Sequence, residues 1–130
     1  MKYDDQNIFA KILRSEIPCN KIYEDDYIFS FYDINPQKKI HALVIPKGKY
    51  IDFDDFSLKA SSEEMVGLLK GINKVAKKLG ISTEIGEGYR ALANTGYHGG
   101  QEVLHLHFHL FGGENVGKMV EWTKKFKDTI

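Results

Sequence analysis

Within residues 1–113, two stretches place apolar residues at the spacing of an α-helix. Residues 8–13 form a short stretch of this kind, which stops before Pro18. Residues 61–79 form the longest one, in which Ser61 and Glu64 fit a capping box and Gly80 suits the position after the last turn. The pattern therefore predicts a short N-terminal helix and one long amphipathic helix. The apolar stripe of the long helix consists of Met65, Leu68, Leu69, Ile72, Val75, Ala76 and Leu79.

Shorter apolar or alternating runs predict five strands, at residues 21–23, 27–32, 41–46, 89–94 and 103–111. The polar, aspartate-rich residues 47–59 are predicted as a loop, and the apolar spacing in residues 114–130 predicts an amphipathic helix. A length of 130 residues suits one domain, residues 1–130. We expect an α+β fold, in which the long helix covers the apolar face of an antiparallel sheet of about five strands.

The fifth predicted strand carries three of the five histidines at alternate positions. Side chains two residues apart on a strand share a face, so His105, His107 and His109 would form a row about 6.8 Å apart. We expect this histidine face to be open, because the intervening side chains are apolar and suit the core. These are Leu104, Leu106, Phe108 and Leu110. A fourth histidine, His41, begins the third strand, and His98 lies in a loop where we expect it to be solvated.

Composition excludes several classes of partner. The formal net charge is +0, which offers no electrostatic attraction for a nucleic-acid polymer or an anionic membrane. Cys19 is the only cysteine, so no intrachain disulfide can form. The sequence has no signal-peptide pattern and no run of about 20 apolar residues that would span a bilayer. We expect a cytoplasmic protein.

A metal site is one chemistry that the histidine row could serve. Two histidines at alternate strand positions can bind zinc, but the outer two of three lie too far apart for one ion with Zn–N bonds of about 2.0–2.1 Å. The spacing of His107, His109 and Glu114 also fits a cupin metal motif, although residues 112–113 are glycines that break the strand before Glu114. Further ligands would come from His41, Glu102 or Glu114. Because the long helix does not suit a small β-barrel either, we expect no metal and no other cofactor.

Attack on phosphorus suits the row better. A neutral imidazole can form a covalent phospho- or nucleotidyl-histidine, which divides one difficult step into two. It needs a partner that sets its tautomer, and donors around the phosphate oxygens. The middle histidine, His107, would attack, its neighbours would orient it or donate protons, and the amides of the turn at residues 99–101 would hold the anion. The alternative is three partly buried histidines with structural roles only.

Several ordered blocks of the sequence resemble the histidine triad (HIT) family. Its signature, His-φ-His-φ-His-φ-φ with φ apolar, occurs at residues 105–111. The other matching blocks are residues 8–12, 16–18, 32–37, 41–47 and 99–101, together with Asn94. Over about residues 7–113 the chain is similar to the family's branch of nucleotide-binding purine nucleoside phosphoramidases.

The resemblance implies an α+β homodimer with a purine nucleotide, an AMP or GMP adduct, as the substrate. It implies that His107 is the nucleophile, that His105 and His41 orient it and stabilise its charge, and that His109 contacts the phosphate or protonates the leaving group. It further implies nucleotide contacts from Asp33, Ile34, Asn94, Gly100, Gln101, Glu102, Phe108, Phe9, Ile8, Ile12 and Phe31. Structural roles stay open for some of these, because Asp33 and Asn94 also suit turns, and Phe9, Ile12 and Phe31 also suit a core.

The chain departs from its relatives at three places. Asn7 and Ala10 stand where some relatives carry a Cys-x-x-Cys half of a zinc site, so that zinc is not expected. Glu102 stands where some relatives have serine beside the phosphate. Residues 114–130 form a divergent, lysine-rich tail where phosphoramidases of this branch often have an extended segment that reaches the partner's site, and Trp122 in this tail would reach across the dimer or pack on the tail helix.

Three functions are compatible with these patterns. The leading one is a metal-independent hydrolase that cleaves nucleoside 5′-phosphoramidates or related AMP and GMP adducts through a nucleotidyl-histidine on His107. The second is a dinucleoside polyphosphate hydrolase or nucleotidyl transferase, since both begin with the same attack. The third is a non-catalytic, nucleotide-binding regulatory protein.

Overall fold

One antiparallel sheet organises the protein. The computed structural model describes residues 1–120. Its helices are α1 (Ile8–Leu13), α2 (Phe53–Lys59) and α3 (Ser62–Lys78), and its strands are β1 (Lys21–Glu24), β2 (Ile28–Tyr32), β3 (Ile40–Pro46), β4 (Arg90–Leu92) and β5 (Phe108–Gly112). The strand order is β1-β2-β3-β5-β4, so the apolar β3 is central. The α+β fold with five strands, a long helix and a short N-terminal helix is confirmed, and the first four strands overlap their predicted ranges.

The long helix α3 begins at the predicted capping box. The Ser61 hydroxyl accepts a hydrogen bond from the Glu64 amide, and the Glu64 carboxylate accepts one from the Ser61 amide, both at 3.1 Å. Leu68 and Val75 are buried against the sheet, whereas Leu69, predicted in the apolar stripe, is 68% exposed. Successive helix positions are rotated by about 100°, so Leu69 falls at the edge of the stripe. No helix within residues 1–120 has the length and apolarity needed to cross a membrane.

The two faces of the sheet follow the alternation of β3. Ala42 and Val44 belong to the core beneath α3, while Leu43 and Ile45 belong to a second core beneath α1. His41 shares the α1 face with Leu43. The second core consists of Phe9, Ile12, Phe31, Leu43 and Ile45. The histidine face was predicted to be open, but α1 covers part of it because its apolar side chains are buried there.

The prediction of a simple loop at residues 47–59 was wrong, because α2 occupies Phe53–Lys59. Asp52 caps this helix by accepting a hydrogen bond from the Asp55 amide at 2.8 Å. Phe56 is only 4% exposed and packs into the core beneath α3. The cap and the buried aromatic residue thus help to stabilise a short helix in an aspartate-rich stretch.

The predicted fifth strand was too long, since β5 begins at Phe108 and not at Val103. Its ladder with β3 ends at the pair Val44–Phe108. Further along β3, Pro46 has no N–H to donate, so a regular ladder cannot continue there.

Other partners hold the segment that precedes β5. The Pro46 carbonyl accepts a hydrogen bond from the His105 ring at 2.8 Å, and the Leu106 amide donates to the Tyr50 carbonyl at 2.8 Å. His105 and His107 therefore lie before the strand and do not form a regular row with the third histidine.

The chain after β5 does not form the predicted helix in residues 114–120. The Glu114 carboxylate accepts a hydrogen bond from the Lys39 amide at 2.6 Å, and the Gly117 carbonyl accepts one from the Arg90 guanidinium. Gly117 has a φ of +76°, which interrupts a right-handed helix. The rest of the predicted tail helix, including Trp122, falls outside the described residues.

Candidate active site

A cleft of about 450 Å³ opens beside α1, next to the central strands. It contains histidines from three places: His41 from β3, His109 from β5, and His107 from the segment before β5. The lining residues are Phe9, Asp33, Asn35, Gln37, His41, Leu43, Asn94, Gly100, Glu102, Val103, His107 and His109. Residues that are distant in the sequence thus meet around two of the three triad histidines.

A larger cleft of about 860 Å³ lies at the β4 edge, between the loop after α3 and the chain after β5. Its side chains include Tyr89, Arg90 and Glu114, but no histidine or cysteine among residues 1–120. Because the larger cleft lacks the nucleophile that the sequence predicts, the smaller cleft is the better candidate for the active site.

His107 is arranged for nucleophilic attack. Its Nδ1 lies 2.7 Å from the carbonyl oxygen of His105, which can only accept, so Nδ1 carries the hydrogen and Nε2 keeps its lone pair. The residue is 6% exposed, and its ring packs edge-on against Phe9 with centroids 4.9 Å apart. Burial lowers the pKa of His107, although the carbonyl and the charges of Asp33 and Glu102 act in the opposite direction. The ring is therefore neutral near pH 7.

His41 and His109 form a hydrogen-bonded pair beside the nucleophile. The backbone amide of Gln37 donates to His41 Nδ1 at 3.1 Å. This leaves the hydrogen of the neutral His41 ring on Nε2. His41 Nε2 lies 2.9 Å from His109 Nδ1, so His109 in turn carries its hydrogen on Nε2. The His109 ring centroid is 5.1 Å from that of His107. Burial, together with the neighbouring histidines, lowers the pKa of His109 to about 4, so this ring is a neutral N–H donor near the nucleophile.

The orienting contacts differ from those that the resemblance implies. His105 contacts His107 through its backbone carbonyl, while its own ring is 0% exposed and does not line the cleft. His41 hydrogen-bonds to His109 and not to His107. Two distinct sets of partners therefore set the tautomers of His107 and His109.

Asp33 serves both the cleft and a turn. One of its carboxylate oxygens lies 3.5 Å from His41 Nε2, and the other accepts a hydrogen bond from the Asn35 amide at 2.8 Å. The turn role and the site role that the sequence left open are thus compatible.

Asp33, His41 and His109 are also the one group within residues 1–120 that could hold a metal ion, because their ligand atoms lie within 4.8 Å of one another. The hydrogen bond from the Gln37 backbone amide to His41, and the hydrogen bond between the His41 and His109 rings, explain the closeness of these groups without a metal ion. The other ligands considered from the sequence, Glu102 and Glu114, do not belong to this group.

Two amide side chains shape the glycine-containing loop at the mouth of the cleft. Asn94, which lines the cleft, donates to the Gly99 carbonyl at 2.7 Å and has a second amide hydrogen left for a ligand. Gln101 accepts from the Gly96 amide at 3.0 Å and donates to the Ile51 carbonyl at 2.7 Å. Gln101 does not line the cleft, so it supports the loop from behind.

The amides of this loop were expected to hold the phosphate. Those of Gly100 and Gln101 instead donate to the carbonyls of Tyr97 and Gly96, at 3.1 Å and 3.0 Å. Gly100 has a φ of +76°, a conformation that favours glycine. These two backbone amides are therefore already engaged, whereas the Asn94 side chain keeps one hydrogen for a ligand in the cleft.

The apolar residues predicted to surround the base are dispersed. Phe9 lines the cleft, while Ile12 and Phe31 are buried in the second core. Phe108 packs on the opposite face, against the core beneath α3. Ile8 and Ile34 are 46% and 92% exposed and do not line the cleft.

Four lining residues were given no role from the sequence: Asn35, Gln37, Leu43 and Val103. The two-residue period of β3 could have identified Leu43, because it lies on the same face as His41. Asn35 and Gln37 lie in the matching block at residues 32–37. Nothing in the sequence pattern singles out Val103.

The buried histidines predict a pH-dependent stability. Burial lowers the pKa of His105 to about 4, from an ordinary value of 6.5. Above pH 6.5 the ring is neutral in both states. Between pH 6.5 and about 4 only the unfolded chain binds the proton, so the free energy of unfolding falls, by about 3 kcal/mol for this group alone. Urea unfolding at pH 7, 5.5 and 4 measures the loss, and a constant free energy across this window would contradict it.

Known proteins with similar sequences and structures span nearly the whole chain. The family profile described as HIT domain matches residues 14–116. An uncharacterized HIT-like protein of Azospirillum brasilense is 48% identical over 118 residues, covering 91% of this chain and 94% of its own. The purine nucleoside phosphoramidase of Escherichia coli (strain K12) is 41% identical over 117 residues, 89% of this chain and 94% of its own. The structure of a HIT family hydrolase from Clostridium thermocellum matches with a TM-score of 0.80 at 36% identity, covering 90% of this chain and 99% of that one. By sequence and by fold, this chain belongs to the HIT family.

Proposed function

We propose that this protein is a hydrolase that cleaves purine nucleoside 5′-phosphoramidates or related AMP and GMP adducts through a nucleotidyl-histidine on His107. The observation that carries the proposal is the state of the His107 ring. Its Nδ1 hydrogen is held by the His105 carbonyl at 2.7 Å, and its Nε2 lone pair belongs to a neutral imidazole in the cleft.

The reaction has two displacements at phosphorus. His107 Nε2 forms a bond to the α-phosphorus while the bond to the leaving nitrogen breaks, and that nitrogen takes a proton from solvent and departs as an amine. The His105 carbonyl stabilises the positive charge that develops on the His107 ring. The His109 Nε2 hydrogen and the free Asn94 amide hydrogen donate to the phosphate oxygens. A water oxygen then bonds to the phosphorus while the bond to His107 Nε2 breaks and the water gives a proton to solvent, which releases the nucleoside monophosphate and restores the neutral His107 ring.

The charge of the cleft favours an amine as the leaving group. Asp33 and Glu102 line it, and within residues 1–120 neither a lysine nor an arginine does. A polyphosphate leaving group would bring further negative charge toward these carboxylates, whereas a neutral or cationic amine would not. The phosphoramidase activity in the name of the Escherichia coli relative supports the same choice.

Two other functions remain candidates for the same cleft. Dinucleoside polyphosphate hydrolysis or nucleotidyl transfer begins with the same attack by His107, but the two carboxylates disfavour polyphosphate leaving groups. A non-catalytic nucleotide-binding protein would use the same contacts without turnover. The hydrogen-bonded tautomer of His107 favours catalysis over binding alone, because binding does not require a free Nε2 lone pair.

We also propose that the protein works as a homodimer in the cytoplasm. The strands β1 and β4 form the two edges of the sheet. An unpaired edge is a surface on which a second copy can extend a sheet.

A substrate panel tests the proposal. We expect an AMP or GMP phosphoramidate to be cleaved with a kcat/KM at least about a hundredfold above that of a dinucleoside polyphosphate, and Glu102→Gln to narrow the ratio by about tenfold. Glu87→Gln is the matched control, because Glu87 is exposed and lines the larger cleft. Equal cleavage of both substrates would reject the leaving-group assignment. Nucleotide binding without turnover of either substrate would favour the regulatory function.

A further inference from the structure

The N-terminal segment reaches the triad through one side chain. The hydroxyl of Tyr3 lies 2.6 Å from Nδ1 of His105, a residue 102 positions further along the chain. The two rings meet edge-on with centroids 5.6 Å apart. The sequence pattern gave Tyr3 no role, because it precedes α1 and belongs to no motif.

The contact completes the hydrogen bonding of a fully buried ring. His105 Nε2 lies 2.8 Å from the Pro46 carbonyl, which can only accept, so this nitrogen carries the hydrogen. Nδ1 of the neutral ring is then an acceptor, and the Tyr3 hydroxyl is its donor. Burial raises the pKa of Tyr3, so the hydroxyl keeps its proton near neutral pH. Since His105 is 0% exposed, water cannot easily replace either partner.

The orientation of His105 bears directly on His107. The His105 carbonyl accepts the His107 Nδ1 hydrogen at 2.7 Å. A rotation of the His105 backbone would break this hydrogen bond, and the His107 hydrogen could then move to Nε2. This stretch lies before β5 and lacks a strand ladder of its own. Its anchors are the Tyr3 hydroxyl, the Pro46 carbonyl and the Tyr50 carbonyl, which accepts from the amide of Leu106.

The segment that carries Tyr3 is itself tied to the rest of the chain. Asp5 pairs with Lys49 at 2.8 Å, and Asn7 caps α1 by accepting from the Ala10 amide at 2.9 Å. Phe9, two residues into that helix, packs against the His107 ring. The N-terminal segment therefore contacts both His105, through Tyr3, and the nucleophile His107, through Phe9.

We propose that Tyr3 is a positioning residue for His107: its hydroxyl fixes the His105 ring, and the carbonyl of His105 in turn holds the nucleophile in its attacking tautomer. Tyr3 does not line the cleft, so its action passes through His105. The inference rests on the proposed function, since it concerns the step that His107 carries out.

Tyr3→Phe removes only the hydroxyl. We expect kcat with an AMP phosphoramidate to fall about tenfold, because a small misplacement of a catalytic group is costly, while KM changes less than about twofold. Nitrogen NMR of the imidazoles should show His107 changing from a single Nδ1–H tautomer to a mixture. Tyr97→Phe is the matched control, because Tyr97 is 94% exposed. A variant with unchanged kcat and unchanged tautomer would overturn the proposal, even if its melting temperature fell.

A double-mutant cycle with His105→Phe tests the route of the effect. If Tyr3 acts through His105, adding Tyr3→Phe to the His105→Phe variant should change kcat less than about twofold. A tenfold loss in both backgrounds would overturn the proposed route. His107→Ala separates this inference from the function: its full activity would reject the function, whereas its inactivity beside an unaffected Tyr3→Phe variant would reject only the role of Tyr3.

Discussion

Substituting His107 by alanine is expected to abolish turnover while nucleotide binding persists. The variant removes the Nε2 lone pair that forms the bond to phosphorus, so kcat should fall by at least about a thousandfold. AMP binding should change little, because His109, Asn94 and Asp33 still line the cleft. Rapid-quench mass spectrometry should detect a nucleotidyl adduct on the wild-type protein and none on the variant.

The control for this experiment is His98→Ala. His98 is exposed in the loop between β4 and β5, and it does not line the cleft. Its loss should leave kcat within about twofold of the wild-type value. Wild-type turnover by the His107→Ala variant would show that His107 is not the nucleophile. A nucleotidyl adduct on another residue would identify that residue as the nucleophile.

Two neighbouring leucines on α3 should differ sharply in their contribution to stability. Leu68 is 2% exposed and packs into the core beneath the helix, whereas Leu69 is 68% exposed. Leu68→Ala should lower the free energy of unfolding by about 2–5 kcal/mol, because it removes buried methyl groups and leaves a cavity. Leu69→Ala should change it by less than about 0.5 kcal/mol.

Urea denaturation of both variants measures the difference, and each is the matched control of the other. The helix propensity lost or gained on replacing leucine by alanine is the same at both positions. Equal losses for the two variants would contradict the prediction.

The periodic part of the fold could be predicted because it depends on local patterns. The capping box at Ser61 and Glu64 marks the start of α3, and the alternation of β3 assigns Leu43 and Val44 to opposite faces. α2 was missed because its signal is one cap and one buried aromatic residue, which no periodic pattern reveals. Leu69 was misassigned because a helical pattern does not define how wide a stripe the sheet can cover.

The boundary of β5 could not be predicted from its own residues. The alternation of histidines and apolar residues suits a strand from Val103 to Phe111, but a strand also needs a neighbour with free ladder groups. Pro46 has no N–H to donate, and its carbonyl accepts a hydrogen bond from the His105 ring instead. The ladder therefore ends at the pair Val44–Phe108, just before the proline.

The sequence by itself determined the family, the order of the five strands, the long helix and the histidines of the cleft, because each is encoded in local spacing or in ordered blocks. Only the tertiary structure decided the state of each histidine. The His105 carbonyl holds the hydrogen of His107 on Nδ1. The hydrogen of His109 is placed on Nε2 by His41 and Gln37, which lie far away in the chain. Tautomers and lowered pKa values arise from hydrogen-bond partners and burial, and both exist only once distant segments have packed together.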